Sequence, residues 1–333
     1  MSRFFDDPID SYVEQERSLL RIPGLSIALV GKGKVLKTAG YGLANLETKT
    51  PATPETVYQL ASVTKQVIAT CILLLEQETK LSLTDPISKH LPNTPASWEK
   101  ITLRHLLTHT SGLVTDEPLE LSRTYTESDA IAAARPLPLR FAPGEKWSYC
   151  NFGYVLLGEV IRQITRQRWD EFLTARFLLP LGMSATRRHN LRTVVTNRAD
   201  GYAFESDTLV NVASWSRDFA SGGLLTTVQD LAKWDVMLRS DPLLKPETRA
   251  RLFEPVILNS GKPHPYGLGW NLSGEPGKRI AEHGGSRPGF ATHFWRELDG
   301  DRAVIVLANL AGADVSRIAH GIAARTAAFS ERV

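Results

Sequence analysis

The sequence predicts an α+β protein: an antiparallel sheet assembled from both ends of the chain and flanked by terminal helices, with a helical subdomain inserted between its two halves. Three observations carry that expectation. Near the N-terminus, the apolar run 24–30 and the run 34–39 are joined by Gly31-Lys32-Gly33, the pattern of a β-hairpin. Near the C-terminus, residues 291–298 and 302–309 flank Asp299-Gly300, a second hairpin signal. Between these ends the apolar spacing is mostly helical, over 102–108, 127–134, 151–166, 169–178 and 227–238. The corresponding division places residues 1–75 and 215–333 in the α/β part and 76–214 in the helical part of a single domain.

Taken in order, the chain opens with a helix over 8–21 and the first hairpin. Gly40-Tyr41-Gly42 lacks the third glycine and the following helix of a dinucleotide-binding fingerprint, and reads as a strand-end turn. Residues 61–76 form the next helix, apolar from Val67 to Leu75 except for Thr70. After the central helices come strands over 266–272 and 279–282, the C-terminal hairpin and a last helix over 314–329. Ala303 to Ala308 is apolar throughout, as a central strand buried on both faces requires.

The chain has 333 residues, of which 42% are hydrophobic and 23% charged, with 39 basic against 36 acidic side chains. That is the composition of an ordinary globular protein with a sizeable core. No run of five like charges occurs, so nucleic acid is not an expected partner, and Arg162, Arg166 and Arg168 read as decoration of a helix end. No apolar run reaches membrane-spanning length and the N-terminal residues lack the apolar core of a signal peptide. The expectation is a soluble cytoplasmic protein without a membrane partner. Cys71 and Cys150 are expected as reduced thiols acting as small core residues.

Three motifs carry chemistry. In Ser62-Val63-Thr64-Lys65, a lysine three residues after a serine sits one helical turn on, on the same face, where it can take the proton of an attacking hydroxyl. The first turn of the helix also offers unpaired N–H groups and the positive end of the helix dipole to an attacked carbonyl oxygen. Alone the motif reads equally as a helix N-cap followed by an exposed lysine. A second copy, Ser97-Trp98-Glu99-Lys100, follows Pro92, Asn93 and Pro95, and reads as a solvated loop. In Tyr149-Cys150-Asn151 the outer residues share a face of an extended segment. Tyr149 can relay the serine proton, provided nearby cations such as Lys65 lower its affinity for its own. Asn151 can hold Lys65 or the carbonyl side of a substrate, or cap the helix that follows. In His283-Gly284-Gly285-Ser286, paired glycines at a strand end allow close approach of a substrate, and the Ser286 N–H can complete an oxyanion hole with that of Ser62.

In this order, the three motifs resemble those of the penicillin-recognising serine hydrolases, with a tyrosine motif similar to the class C β-lactamase branch. That branch also holds D,D-peptidases, D-aminopeptidases and β-lactamase-like carboxylesterases. The resemblance runs from about Ile22 to Ala308, and includes Leu107-Thr108-His109-Thr110-Ser111-Gly112 and Ser221-Gly222-Gly223-Leu224. It implies a β-lactamase/transpeptidase-like fold, catalysis by Ser62, Lys65 and Tyr149 through an acyl-enzyme, and no cofactor or metal. Substrate contacts then fall to Asn151, His283, Gly284, Gly285, Ser286 and Arg287. The lactamases of this branch usually carry Lys-Thr-Gly where this chain has His283-Gly284-Gly285. A mostly uncharged histidine there favours uncharged ester or amide substrates over the carboxylate of a β-lactam, while Arg287, just beyond, offers a permanent cation.

The expected activity is that of a carboxylesterase on short-chain or other uncharged acyl esters, with a D-amino-acid peptidase or amidase and a β-lactamase as alternatives, and a non-catalytic binding protein as the alternative of another class. No Gly-x-Ser-x-Gly elbow points to an α/β-hydrolase, and no His-Glu-x-x-His or Cys-x-x-Cys accompanies His90, His105 and His109. Structural hydrogen bonding is the expected role of His105 and His109.

Overall fold

The computed structural model describes residues 7–114, 125–213, 219–240 and 243–330. Its main sheet has seven strands, numbered here in chain order: β1 (Gly24–Gly31), β2 (Lys34–Asn45), β3 (Thr50–Pro51), β4 (Asn271–Ser273), β5 (Ile280–Arg287), β6 (Phe290–Glu297) and β7 (Ala303–Ala308). They lie in the spatial order β4-β5-β6-β7-β1-β2-β3, and every pairing is antiparallel. The two chain ends meet where β1 pairs with β7, with Ile27 opposite Val306. Both strands are buried along their whole length.

Side-chain alternation explains how a central strand serves two cores. Leu25, Ile27 and Leu29 join Val304 and Val306 in an outer cluster under helices α1 (Pro8–Leu19) and α5 (Val315–Ser330), which contribute Ile9, Val13, Ile318 and Ile322. Ala28, Val30, Ile305 and Leu307 face the larger inner cluster, built with α2 (Thr64–Gln77), α3 (Asn151–Thr165) and α4 (Val228–Ser240). Helix α2 is buried continuously from Thr64 to Leu75, as a helix apolar on all sides must be. Truncating Ile68 or Ile72 to alanine there costs about 2–5 kcal/mol. At the N-terminus, Asp7 caps α1 by accepting the Ile9 N–H at 2.8 Å, with Pro8 in the first turn where its missing N–H does no harm.

Four expectations require correction. The strand expected over 266–272 is only Asn271–Ser273, with one isolated bridge from Tyr266 to Asn271. The preceding residues instead turn tightly: Gly269 has φ +78°, and a Cβ there would lie 2.9 Å from the Lys65 carbonyl carbon. Conversely, β5 does not end before the glycine pair but runs through His283-Gly284-Gly285 to Arg287. Gly40-Tyr41-Gly42 is likewise inside β2, and a Cβ on Gly40 would meet the Ala52 carbonyl oxygen at 2.3 Å. Gly40, Gly42 and Gly285 serve close backbone approach rather than turns. The helix expected over 169–178 is α-helical only over Trp169–Leu173 and continues as a π-helical turn over Thr174–Leu178. Among the described residues, no helix is long and apolar enough to cross a membrane.

Candidate active site

A short 3-10 turn, Ala61–Val63, leads into α2 and carries Ser62. Ala61 holds φ +54°, a left-handed conformation that costs a non-glycine residue energy and is sustained here by its surroundings. The turn lies directly against β5 and β6: Thr292 Oγ1 donates to the Leu60 carbonyl at 2.8 Å, and a Cβ on Gly285 would be 2.7 Å from that same oxygen. Gly285 is thus the position at which the sheet can touch the Ser62 turn only without a side chain.

Lys65, one turn after Ser62, is fully buried. Its Nζ donates to Ser62 Oγ at 3.1 Å, Asn151 Oδ1 at 2.7 Å and the Ser221 carbonyl at 2.7 Å. It also lies 4.8 Å from the centre of the Tyr149 ring. This corrects one reading of Asn151: it is the first residue of α3, the N-cap is Cys150, and no side chain caps the helix. The Asn151 side-chain carbonyl is engaged by Lys65 instead, a charge-assisted bond stronger than an ordinary cap. Cys150 turns away from the site into the core, as residue alternation requires, and its N–H donates to His109 Nδ1 at 3.1 Å.

His109 organises the wall behind Tyr149. Its ring centre lies 4.3 Å from that of Tyr149, and its Nε2 is 3.1 Å from the Tyr266 hydroxyl, which in turn is 3.2 Å from His283 Nε2. His283 Nδ1 faces the Gly284 carbonyl at 2.6 Å. One proton arrangement satisfies the whole chain with both imidazoles neutral: His109 Nε2–H donates to Tyr266, Tyr266 donates to His283 Nε2, and His283 Nδ1–H donates to Gly284. Burial, then the charge of Lys65, pushes His283 down to about 3, and the same two causes hold His109 well below the usual histidine range. Both histidines are therefore uncharged at neutral pH. His105 accepts the Thr102 N–H and donates its own N–H to the Thr102 hydroxyl, a reciprocal helix cap.

A cavity of about 530 Å³ opens over these groups. Ser62, Tyr149, Asn151 and His283 to Ser286 are among the residues that line it. Because β4 pairs only with Ile280, Ala281 and Glu282, the stretch of β5 from His283 onward is not covered by that neighbour and offers a partly free edge. The Arg287 Nη2 lies 3.1 Å from the Cβ position of Gly222, which is itself 3.4 Å from the Ala61 carbonyl carbon. The structure thus gathers Ser62, Lys65, Tyr149, Asn151, His283, Gly284, Gly285 and Ser286 into one locus, and places Arg287 beside it, against the Ser221–Gly223 segment. Ser97 and Lys100 are exposed, far from the pattern of a buried site. Cys71 and Cys150 are buried and form no disulfide.

Sequence reasoning missed three contributions. The Ser221 carbonyl and Tyr266 carry no local signature of their roles, although Ser221-Gly222-Gly223 stood out as a motif. Glu282, His293 and His320 come together from β5, β6 and α5; no local spacing could reveal them.

Known proteins resemble the chain in sequence and fold. The chain is 31% identical over 304 residues to penicillin-binding protein 4* of Bacillus subtilis (strain 168), covering 83% of this chain and 66% of the relative. It is 30% identical over 315 residues to protein flp of Staphylococcus aureus (strain MW2), covering 91% of this chain and 62% of that one. It therefore spans about two thirds of the length of these relatives or slightly less. The octameric penicillin-binding protein homologue of Pyrococcus abyssi superposes with a TM-score of 0.82 at 28% identity, covering 97% of this chain and 77% of that one. D-amino acid amidase from Ochrobactrum anthropi SV3 shares the fold at a TM-score of 0.79 and 24% identity, covering 92% and 93%. The Beta-lactamase family model matches residues 9–329, and the chain belongs to that family.

Proposed function

We propose that the protein is a carboxylesterase that hydrolyses small uncharged acyl esters through an acyl-enzyme on Ser62. The observation that carries the substrate reading is the neutral, buried His283: the cavity that Ser62 lines presents an uncharged imidazole where the family's lactamases usually place a lysine. Ser62 Oγ attacks the acyl carbon and gives its proton to the Lys65/Tyr149 pair. The three acceptors around Lys65 Nζ use all three protons of an ammonium group, which supports Tyr149 as the group that takes the first proton. The oxyanion is held by the N–H groups of Ser62 and Ser286. Collapse breaks the ester bond, and the departing alkoxide takes the proton back as the alcohol. Water then attacks the acyl-enzyme with the same pair as base, releasing the acid and restoring Ser62. Neither step calls for a metal or cofactor.

A second reading, hydrolysis of D-amino-acid amides, draws on the amidase that shares the fold, since the same pair can protonate a departing amine. Side-by-side turnover of acetyl and butyryl nitrophenyl esters, D-alanyl amide and nitrocefin separates the readings, with Ser62→Ala and Ser97→Ala as controls. Ester kcat/KM should be highest, abolished in Ser62→Ala together with fluorophosphonate labelling, and unchanged in Ser97→Ala. D-Alanyl amide or nitrocefin turned over faster than the esters refutes the esterase reading, and full activity in Ser62→Ala refutes the mechanism.

A further inference from the structure

We propose that Glu282, His293 and His320 form a binding site for a zinc-class divalent metal ion that fastens α5 to the sheet beside the active-site cavity. In the register of β5 and β6, Glu282 lies opposite Trp295 and His293 opposite Gly284, so Glu282 and His293 are diagonal neighbours on one face. Helix α5 packs over that face and supplies His320. Both imidazole Nε2 atoms converge on a single oxygen, Glu282 Oε2, at 3.1 Å from His293 and 2.7 Å from His320. The three ligand atoms all lie within 4.8 Å of one another. An ion bound at about 2.0–2.2 Å by such atoms keeps tetrahedral neighbours roughly 3.3 Å apart, so small side-chain rotations suffice to admit it.

The surroundings favour an ion over a mere ion pair. Side-chain exposure grades from 8% at His293 through 22% at Glu282 to 50% at His320, which anchors the set on one side and leaves an entry path and an open coordination position on the other. Glu282 and His320 line a separate hollow of about 370 Å³, while His293 lines the active-site cavity. The cation in that hollow, Arg302, is engaged by Glu297 and so does not compete for the carboxylate. Opposite His293, Gly284 leaves the imidazole room to turn, since a Cβ there would lie 3.7 Å from His293 Nδ1. Two imidazoles and one carboxylate suit zinc and its neighbours in the first transition series rather than magnesium or calcium. The ion stands apart from the Ser62 chemistry and acts by tying the last helix to the sheet.

The test uses the full chain without an affinity tag, stripped with a chelator and titrated with Zn²⁺ by calorimetry and with Co²⁺ by its visible absorption. One ion per chain should bind, with a zinc-dependent rise in Tm. Glu282→Gln and His320→Ala should each weaken binding at least about tenfold. Because His320 is half exposed, His320→Ala should fold and melt like the parent when metal is absent, separating loss of the site from loss of the fold. Absence of saturable binding of both ions, or equal affinity in parent and both variants, overturns the proposal. Fluorophosphonate labelling of Ser62 in the stripped protein should persist under either result, so the hydrolase reading is judged independently.

Discussion

Gly285→Ala is the sharpest perturbation of the site, because it adds one methyl group where β5 meets the nucleophile turn. That Cβ would lie 2.3 Å from Thr292 Oγ1, 2.7 Å from the Leu60 carbonyl oxygen and 3.0 Å from Ala61 Cβ. The threonine can rotate away only by giving up its bond to Leu60, and the Leu60 carbonyl is backbone and cannot rotate away at all. Ordinary carbon–oxygen contact needs about 3.3 Å or more, so the strand edge and the Ala61–Val63 turn must part by roughly half an ångström to one ångström. Overpacking of this kind costs about 1–3 kcal/mol of stability. The larger effect should be on catalysis: a displacement near 1 Å between nucleophile and oxyanion donor lowers kcat/KM by about a hundredfold. The assay is ester kcat/KM and the rate of fluorophosphonate labelling, with Tm measured alongside. Gly284→Ala is the stability comparison, since its nearest neighbour is 3.7 Å away and its Tm should stay close to the parent's. If Gly285→Ala retains kcat/KM within about threefold, the contact between strand and turn does not position the reacting groups and the oxyanion assignment to Ser286 fails.

Tyr149→Phe should preserve the ring contact with His109 and the fold while lowering kcat by about a hundredfold or more, the scale for loss of a general acid or base; an unchanged kcat in steady-state ester assays makes Tyr149 a packing residue. His283→Lys combined with Gly284→Thr should raise kcat/KM for nitrocefin relative to esters by about tenfold, or about 1.4 kcal/mol of transition-state binding; an unchanged ratio refutes the argument from charge. Arg287→Ala should leave the ester rate within about threefold, and a collapse of nitrocefin turnover from a high parental level identifies Arg287 as an anion anchor instead. For pH, the sign follows from His283, which folded binds its proton only near about 3 whereas the unfolded chain binds it near the usual 6.5. The stability this contributes is complete above about 6.5 and is lost as pH falls toward 3, so thermal melts should show Tm dropping through that window, less steeply in His283→Gln.

Local sequence determined the elements whose information lies within a few residues. The two hairpins follow from glycine-bearing turns between β-forming runs, and the buried helix after Ser62 from an apolar stretch without a polar face. The Ser62/Lys65 pairing follows from helical periodicity, and the turn of Cys150 away from the site and into the core from alternation along an extended segment. The candidate site was legible because three short motifs, far apart in the chain, meet at one cavity. Tertiary structure alone decided whatever depends on segments distant in the chain. Gly284 and Gly285 look like a turn in sequence, yet they lie within a strand, because close approach between β5 and the nucleophile turn excludes a side chain at Gly285. Asn151 looks like a helix cap, but a buried lysine 86 residues earlier takes its carbonyl. The neutral state of His283 depends on its burial and on the nearby charge of Lys65, which come from segments distant in the chain. The meeting of Glu282 and His293 with His320 depends on sheet register and on the docking of the final helix, and long-range packing of that kind leaves no periodic trace in the chain.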